Sequence, residues 1–429
     1  MTAAAGSLED WPMHAVDEAV RLGRMDRDEV SQRIASLPVD RRAAVFSRLT
    51  PRLQVDLAEA MTRDDLATLG AAMAPDDLAD LAGLLGAEAR AIFLADLDPE
   101  LRACAERLIA HAAGTAGGIM TTDYAALEAD ATALETLDSL RRKAPEEAAM
   151  QRVLVLNEGR LVGAVPLRDV ILAPDDARLG ELMDAAPIHV GVGEDRETAA
   201  RLVARYDLPV LPVVEDDGRL VGVITHDDAA RALAAETTED FQKTSTVLPI
   251  SETIRDAGIG LLYRKRVVWL ALLVFGNLFS GAGLAYFEEM ILTYVSLVFF
   301  LPLLIDSSGN AGAQSATLMV RAMATGEVEI SDWTRLLLRE LAVAAGLGVT
   351  MALVVAPLGL WRGGGEVALV VAATMMVLVL LGSLVGMSLP FLLSRFKLDP
   401  ATASGPLVTT ISDGVGVLVY FTIATLVLG

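Results

Sequence analysis

"PLLIDSSGNAGAQSATLMVRAMA", residues 302–324, interrupts an apolar stretch with small and polar residues. It follows "TYVSLVFF" (293–300) and precedes more apolar chain, so it lies at membrane depth. Polar groups are costly there and normally line a path or the inside of a helix bundle. Asp306, Asn310, Gln314, Thr317 and Arg321 fall at i, i+4, i+8, i+11 and i+15, one stripe on a helix. Gly309, Gly312 and Ser315 beside it read equally well as path wall or as helix-packing residues. Pro302, one turn earlier, loosens the helical hydrogen-bond ladder.

Five hydrophobic segments, near 267–287, 291–320, 336–360, 366–392 and 402–428, are each long enough to cross a hydrocarbon core of about 30 Å. Residues 267–429 therefore read as an α-helical membrane domain with five transmembrane helices. The last carries its own polar stripe, Thr402, Pro406, Thr409, Asp413, Gly416 and Tyr420. Asp413 is the only acid in that segment, and residues 398–429 hold no Lys or Arg to neutralise it. A lone carboxylate in lipid protonates or destabilises its surroundings, whereas a passing cation holds it ionised. Asp413 is thus the candidate ion site. Arg264, Lys265, Arg266, Arg321, Arg335, Arg339, Arg395 and Lys397 fall on the amino-terminal side of the spans. That bias predicts a multi-pass protein of the inner (plasma) membrane, amino terminus cytoplasmic and carboxyl terminus outside.

The net charge of −22 over 429 residues is unevenly spread. Residues 1–259 hold 26 Lys and Arg against 47 Asp and Glu, a balance of −21, while residues 260–429 hold 9 against 10. An acidic soluble part of this kind excludes nucleic acid as a partner and suits cations. The first residues, "MTAAAGSLEDWPMHAVDEAV", have neither the basic nor the apolar region of a signal peptide. The single Cys104 rules out an internal disulfide and reads as a small buried hydrophobe. The four histidines are scattered, and no nucleophile motif or phosphate loop occurs, so the chain is not read as an enzyme.

Residues 1–115 form the first segment. From 37 to 108 it repeats every 12 residues, with Leu37, Leu49, Met61, Met73, Leu85 and Leu97 opening units of helix-initiating Pro, Thr or Asp followed by Leu and Ala. This predicts an all-α short-helix solenoid, each unit burying its apolar face on its neighbours. Residues 116–240 carry a second repeat, "VLVLNEGRLVGAVPLRD" (153–169) and "LPVVEDDGRLVGVITHDD" (211–228), offset by 59. Each copy reads as strand, acidic-Gly turn, strand and helix start. Residues 241–266 predict one amphipathic helix linking the soluble part to the membrane.

The second repeat resembles a pair of CBS domains, α/β modules that often bind adenine nucleotides. By that resemblance Gly222, Thr225 and Asp228 form an ATP site, with Thr on phosphate and Asp on ribose, while Pro166 replaces the Thr in the first copy. The whole order resembles the MgtE family of magnesium transporters and channels. Its marks are "GGIMTTDY" (117–124), the stretch 302–324 and "LPFLLSRFKLDPATASGPLVTTISDGVGVLVYF" (389–421). The resemblance implies a homodimer in the lipid bilayer with a pore on its two-fold axis, lined by the second and fifth membrane helices. Asp413, Thr409, Asn310, Gln314 and Asp306 would then serve hydrated Mg2+, an ion that sheds water reluctantly and prefers oxygen. It also implies closure when cytosolic Mg2+ bridges acidic faces, here Asp76, Asp80, Glu215, Asp217 and Asp227, with Glu252 and Asp256 on the linking helix. The chain departs from the family's pattern at "STVLPI" (245–250), at Gly405 and at Ser308. Other readings are a transporter or exchanger of Co2+ or Mn2+, and a membrane-anchored CBS nucleotide sensor without transport.

Overall fold

The computed structural model describes residues 13–143, 145, 149–245, 247–248, 250 and 257–429. These divide into two compact units, Met1–Glu236 and Thr237–Gly429.

The first unit opens with α1 (Ala15–Leu22), α2 (Arg27–Ala35), α3 (Val39–Phe46), α4 (Pro51–Ala60), α5 (Arg63–Ala71), α6 (Pro75–Leu84), α7 (Ala87–Asp96) and α8 (Pro99–Ile109). From α3 to α8 every helix starts 12 residues after the last, so the repeat read from the sequence is the helix period. Pro51, Pro75 and Pro99 sit at the first helical position of α4, α6 and α8, where a missing N–H costs nothing. α1, α3, α5 and α7 pack in succession, as do α4, α6 and α8. Between them lies a core that includes Leu57, Leu69, Leu81 and Phe93. The openers Leu49, Met73, Leu85 and Leu97 are buried, as a repeat that packs only on its neighbours requires.

Two α/β repeats follow. The first holds β1 (Ala126–Glu128), α9 (Ala133–Lys143), β2 (Arg152–Asn157), β3 (Arg160–Pro166), α10 (Leu167–Leu172), α11 (Leu179–Leu182) and β4 (Asp184–Ala185). The second holds β5 (Val190–Gly191), α12 (Arg196–Arg205), β6 (Val210–Val214), β7 (Leu220–Thr225) and α13 (His226–Thr244). The sheets run β1-β2-β3-β4 and β5-β6-β7, each with a parallel first pair and an antiparallel hairpin. Both hairpins shift register at equivalent places, Val155/Leu156 and Val213/Val214. Their tips pair with each other through Leu161 N–H to Gly218 O at 3.0 Å and Leu220 N–H to Gly159 O at 3.2 Å. The solenoid and the second repeat share a core that takes in Ala79 of α6, Leu108 of α8, Met120 and Ile224.

In the second unit come α14 (Ile259–Tyr286), α15 (Glu288–Thr293), α16 (Ser296–Ala324), α17 (Trp333–Arg395) and α18 (Gly405–Leu428). Residues 241–266 do not form the single linking helix expected. Residues 241–244 finish α13, the intervening Val247, Leu248 and Ile250 are not helical, and 259–266 open α14. Gln242 holds this connector by accepting from Ile250 N–H at 2.7 Å, and Lys243 reaches Asp399 at 2.5 Å. Asp399 in turn accepts from Ala401 N–H at 2.8 Å in the short turn before α18.

The expected count of five membrane helices meets a different division. Among the described residues three helical stretches are long and apolar enough to cross a membrane: α14, Ile330–Arg395 and α18. Two physical reasons account for the difference. α16 carries Asp306, Ser307, Ser308 and Asn310, which dilute its apolar content. α17 is 63 residues long, about 95 Å at helical rise, but Gly364 breaks it with φ 79° and ψ −172°, a conformation essentially confined to glycine. A core including Phe300, Leu304, Val371, Met375 and Phe421 joins α16, α17 and α18. Leu270, Leu272, Phe275 and Phe279 of α14 stay exposed, as side chains in lipid would be.

Candidate cation sites

In the second unit residues 302–324 lie in α16, and its two faces differ. Ser308, Gly309, Gly312, Ser315 and Ala316 are buried. A Cβ on Gly312 would come within 2.6 Å of the Gly382 carbonyl, and one on Gly386 would overlap the Gly312 carbonyl. Ser308 Oγ donates to Leu378 O at 2.8 Å. Ser308 and Gly312 therefore sit in a seam between α16 and α17, which gives Gly312 a packing role, whereas Gly309 faces α18. Ser308, noted as a departure, is part of that seam.

The other face of α16 bears Asp306, Asn310, Gln314 and Thr317, all exposed on the single chain. Asn310 Nδ2 donates to Asp306 Oδ2 at 3.0 Å along the stripe. α18 lies alongside: a Cβ on Gly309 would sit 2.8 Å from Thr409 Cγ2, so the missing side chain lets Thr409 approach. Thr409 Oγ1 donates to Pro406 O at 2.9 Å. Asp413, one turn further, is half-buried and within reach of the Asp306 charge. Asp306, Asn310, Thr409 and Asp413 thus share one neighbourhood. Tyr420, read as part of the polar stripe, is instead fully buried and donates to Leu297 O at 3.0 Å.

The first unit gathers a second group of acids where α6 meets the start of α13. "PDDLAD" puts Asp76 and Asp77 in the first turn of α6 and Asp80 one turn later. "HDDAAR" puts Asp227 and Asp228 in the first turn of α13. Acids are favoured at helix amino termini, and two such termini meet here. Asp76 Oδ1 is buried without a hydrogen-bond partner. Burial, with the Asp228 and Asp77 charges, pushes the Asp76 carboxyl up to about 8. Asp80, at the rim, is pushed up to about 6 by loss of solvent and by Asp77 and Asp228. Burial also raises Asp228, although Arg231 and Thr225 oppose it. Asp227 moves the other way: burial alone would raise it, but bonds from Thr225 and Arg231 hold it below the ordinary carboxylate value.

The expected sensing residues therefore separate. Asp76, Asp80 and Asp227 come together, joined by Asp77, Asp228 and Arg231. Glu215 and Asp217 lie at the exposed β6–β7 tip, at the opposite end of β7, with Asp217 accepting from Arg219 N–H at 3.1 Å. Glu252 and Asp256 fall outside the described residues. The residues read as a nucleotide site are tied up. Thr225 Oγ1 is 2.6 Å from Asp227 Oδ1 and 2.5 Å from Asp228 Oδ2, and one hydroxyl proton serves one of them at a time. Gly222 is a packing glycine, since a Cβ there would meet Met120 Sδ at 2.6 Å and Thr121 O at 2.9 Å. Among the described residues no three His, Cys, Asp or Glu side chains are preassembled around one metal position. The donors at both places are oxygens, the set that hard cations prefer.

A family model described as divalent cation transporter, MgtE, matches residues 301–423. The MgtE intracellular N domain matches residues 13–114, and CBS domains match 116–176 and 179–235. Magnesium transporter MgtE of Thermus thermophilus is 40% identical over 333 residues, covering 77% of this chain and 74% of that protein. Its Bacillus subtilis counterpart is 32% identical over 320 residues, covering 74% and 70%. The crystal structure of the cytosolic domain of the Mg2+ channel MgtE in complex with ATP aligns at 33% identity and a TM-score of 0.49, over 51% of this chain and 90% of that one.

Proposed function

Since this chain belongs to the MgtE family of magnesium transporters, we propose that it passes Mg2+ through a pore made by two copies, each lining it with α16 and α18. The observation that carries this is the exposure of Asp306, Asn310, Gln314 and Thr317 on the single chain. Left against lipid, such a stripe is costly; facing its own mate across a two-fold axis, it walls a wet path. On this reading Asp413 from each copy stands at the centre, with Thr409 and Asp306 near it, and Mg2+ is held largely through its water shell. Gly364 divides α17 into two crossings, which with α14, α16 and α18 makes five, amino terminus inside. Free Mg2+ in the cytosol closes the pore by neutralising the cluster of Asp76, Asp80, Asp227 and Asp228, which joins the solenoid to the second CBS repeat. Buried Asp76 Oδ1, with no bond of its own, is the atom a cation would complete. The Lys243–Asp399 pair gives that change a path from α13 to the turn before α18. ATP at Gly222, Thr225 and Asp228 is carried by the sequence motif alone, and binding there would have to compete with the bonds those residues make to one another and to Arg231.

Disulfide trapping tests the pore. On a Cys104→Ala background, Asn310→Cys and Gln314→Cys are oxidised in membranes. Covalent dimers at these positions, but not at Leu270→Cys on the exposed face of α14, are expected. Monomers at both stripe positions would contradict the two-fold pore. Liposome flux with Mg2+, Mn2+ and Co2+ side by side separates magnesium transport from transport of the softer ions.

A further inference from the structure

Helix α13 begins "HDDAAR", so Arg231 lies three and four residues after the two acids of its first turn. Its guanidinium reaches back to both, with Nη1 to Asp227 Oδ2 at 2.8 Å and Nη2 paired to Asp228 Oδ1. An exposed i,i+4 pair of this sort contributes only a few tenths of a kcal/mol. Arg231 differs from that case in what surrounds it. Asp228 is only 8% exposed, and an acid at that depth is costly without a counter-ion. The charge of Arg231 also acts across the junction on Asp77 and Asp80 of α6. Five carboxyls, Asp76, Asp77 and Asp80 from α6 with Asp227 and Asp228 from α13, meet this one guanidinium and, at 4.0 Å from Asp227, the more distant Arg48.

We propose that Arg231 is a tethered counter-cation at the α6–α13 junction, occupying part of the space and charge balance that a divalent ion would otherwise supply. The proposal rests on the reading of this cluster as the Mg2+-responsive joint and adds its set point. A guanidinium is planar, always charged and weakly hydrated, and its fork spans two carboxylates at once. Being covalently attached, it does not wash out when free Mg2+ falls. The solenoid therefore stays packed on the second CBS repeat at lower Mg2+ than the acids alone would allow. Arg231, with Arg48 at the edge, leaves the five carboxyls short of full neutralisation, so a requirement for added cation remains and the joint still responds.

Hydrogen exchange of α6 (Pro75–Leu84) in the full-length protein in detergent tests this, first in EDTA and then through a Mg2+ titration. Arg231→Gln should exchange about tenfold faster than wild type in EDTA, the loss expected for a half-buried ion pair, and should need about tenfold more Mg2+ to recover. Arg231→Lys, which keeps the charge but loses the fork, should fall between the two, clearly better protected than Arg231→Gln. Equal protection of wild type and Arg231→Gln in EDTA, with equal Mg2+ midpoints, would overturn the proposal. Should α12 loosen along with α6, the lysine variant decides: protection clearly better than in Arg231→Gln supports a role of charge, and protection lost alike makes Arg231 merely structural and overturns it. Faster exchange in Arg231→Gln that no Mg2+ concentration reverses upholds Arg231 as the counter-ion while removing the Mg2+-sensing reading of the cluster.

Discussion

The chain collects oxygen ligands in two places and treats them in opposite ways. At the α6–α13 junction the acids face one another inside one unit, partly buried and partly neutralised by Arg231. Along α16 the polar side chains face outward, with Thr409 and Asp413 of α18 half-exposed beside them, and the bonds they make are local ones: Asn310 to Asp306, Thr317 to Ala313 O and Thr409 to Pro406 O. On the proposed reading the first is a repulsive contact that a cation relieves, and the second is half of a surface completed by another copy. The difference teaches how to tell a sensor from a path: a sensor's ligands are divided between two elements that pack, whereas a path's ligands form a continuous row on elements packed only on the far side.

The largest expected effect breaks that far side. Gly386→Ala would force a methyl against the Gly312 carbonyl, backbone that has no way to yield, and should destabilise the α16–α17 seam by about 3 kcal/mol. Thermal unfolding of the detergent-solubilised protein checks this, and Gly326→Ala, with no neighbour within 4 Å but positive φ, should cost only about 1 kcal/mol. An equal effect at the two sites would mean the seam is not tightly packed.

The next two sharpen the sensor side. Asp76→Asn removes one of the mutually repelling charges while keeping the side chain's shape. It should strengthen the α6 contact in EDTA by on the order of 1 kcal/mol and flatten its response to Mg2+, both read by hydrogen exchange. A weaker contact would show that the carboxylate is needed in its charged form even without metal. Acidity offers a test without mutation. A carboxyl whose pKa is raised in the packed state takes up a proton on packing, so the contact is strongest at low pH and weakens as pH rises. For Asp80 and Asp76 that loss runs through about 6 to about 8, with Asp77, Asp227, Asp228, Arg231, Thr121 and Arg48 around them. Without divalent ions the protection of α6, taken relative to the intrinsic exchange rate at each pH, should therefore be lower at pH 8.5 than at pH 6, and saturating Mg2+ should shrink the difference. Protection independent of pH in EDTA would mean these acids are better solvated than their surroundings imply.

The smallest effect concerns coupling. Asp399→Asn should leave Mg2+ flux at low internal Mg2+ unchanged within about twofold while weakening its shut-off by high internal Mg2+, through loss of a partly buried ion pair. Unaltered shut-off would remove the Lys243–Asp399 route.

What was legible in the sequence follows from how local each signal is. The 12-residue period places the starts of α3 to α8, because Pro or a polar cap before each helix is read within a few residues. The hairpins β2–β3 and β6–β7 were legible from their Gly turns, where Gly159 and Gly218 have positive φ. Asp306, Asn310, Thr409 and Asp413 were found by periodicity and do share one neighbourhood. The misses involve partners far apart in sequence. Nothing near Gly312 announces Gly382 and Gly386, so its packing role stayed open. Asp228 was read as a ribose ligand from the CBS motif, and its place beside Asp76 was not readable because the two lie in different repeats. Arg231 was overlooked, although its spacing from Asp227 and Asp228 is a readable i,i+3 and i,i+4 signal. The linking helix was overextended because α13 runs on to Thr244, past the segment that seemed to begin there. The gap left between the segments 336–360 and 366–392 holds Gly364, the break in α17, while the polar stripe that identifies α16 also makes it a weak membrane span by composition.

The central claim is that the outward stripes form a cation path with Asp413 at its centre. Mg2+ flux into liposomes carrying wild type, Asp413→Ala or Asp413→Asn tests it most directly, with circular dichroism and gel filtration confirming that the variants fold and assemble. The account predicts Mg2+ entry through wild type and its loss in both variants, the asparagine included, because the charge is what holds the ion. Flux that survives either substitution in a well-folded protein would contradict it and make Asp413 a structural carboxyl.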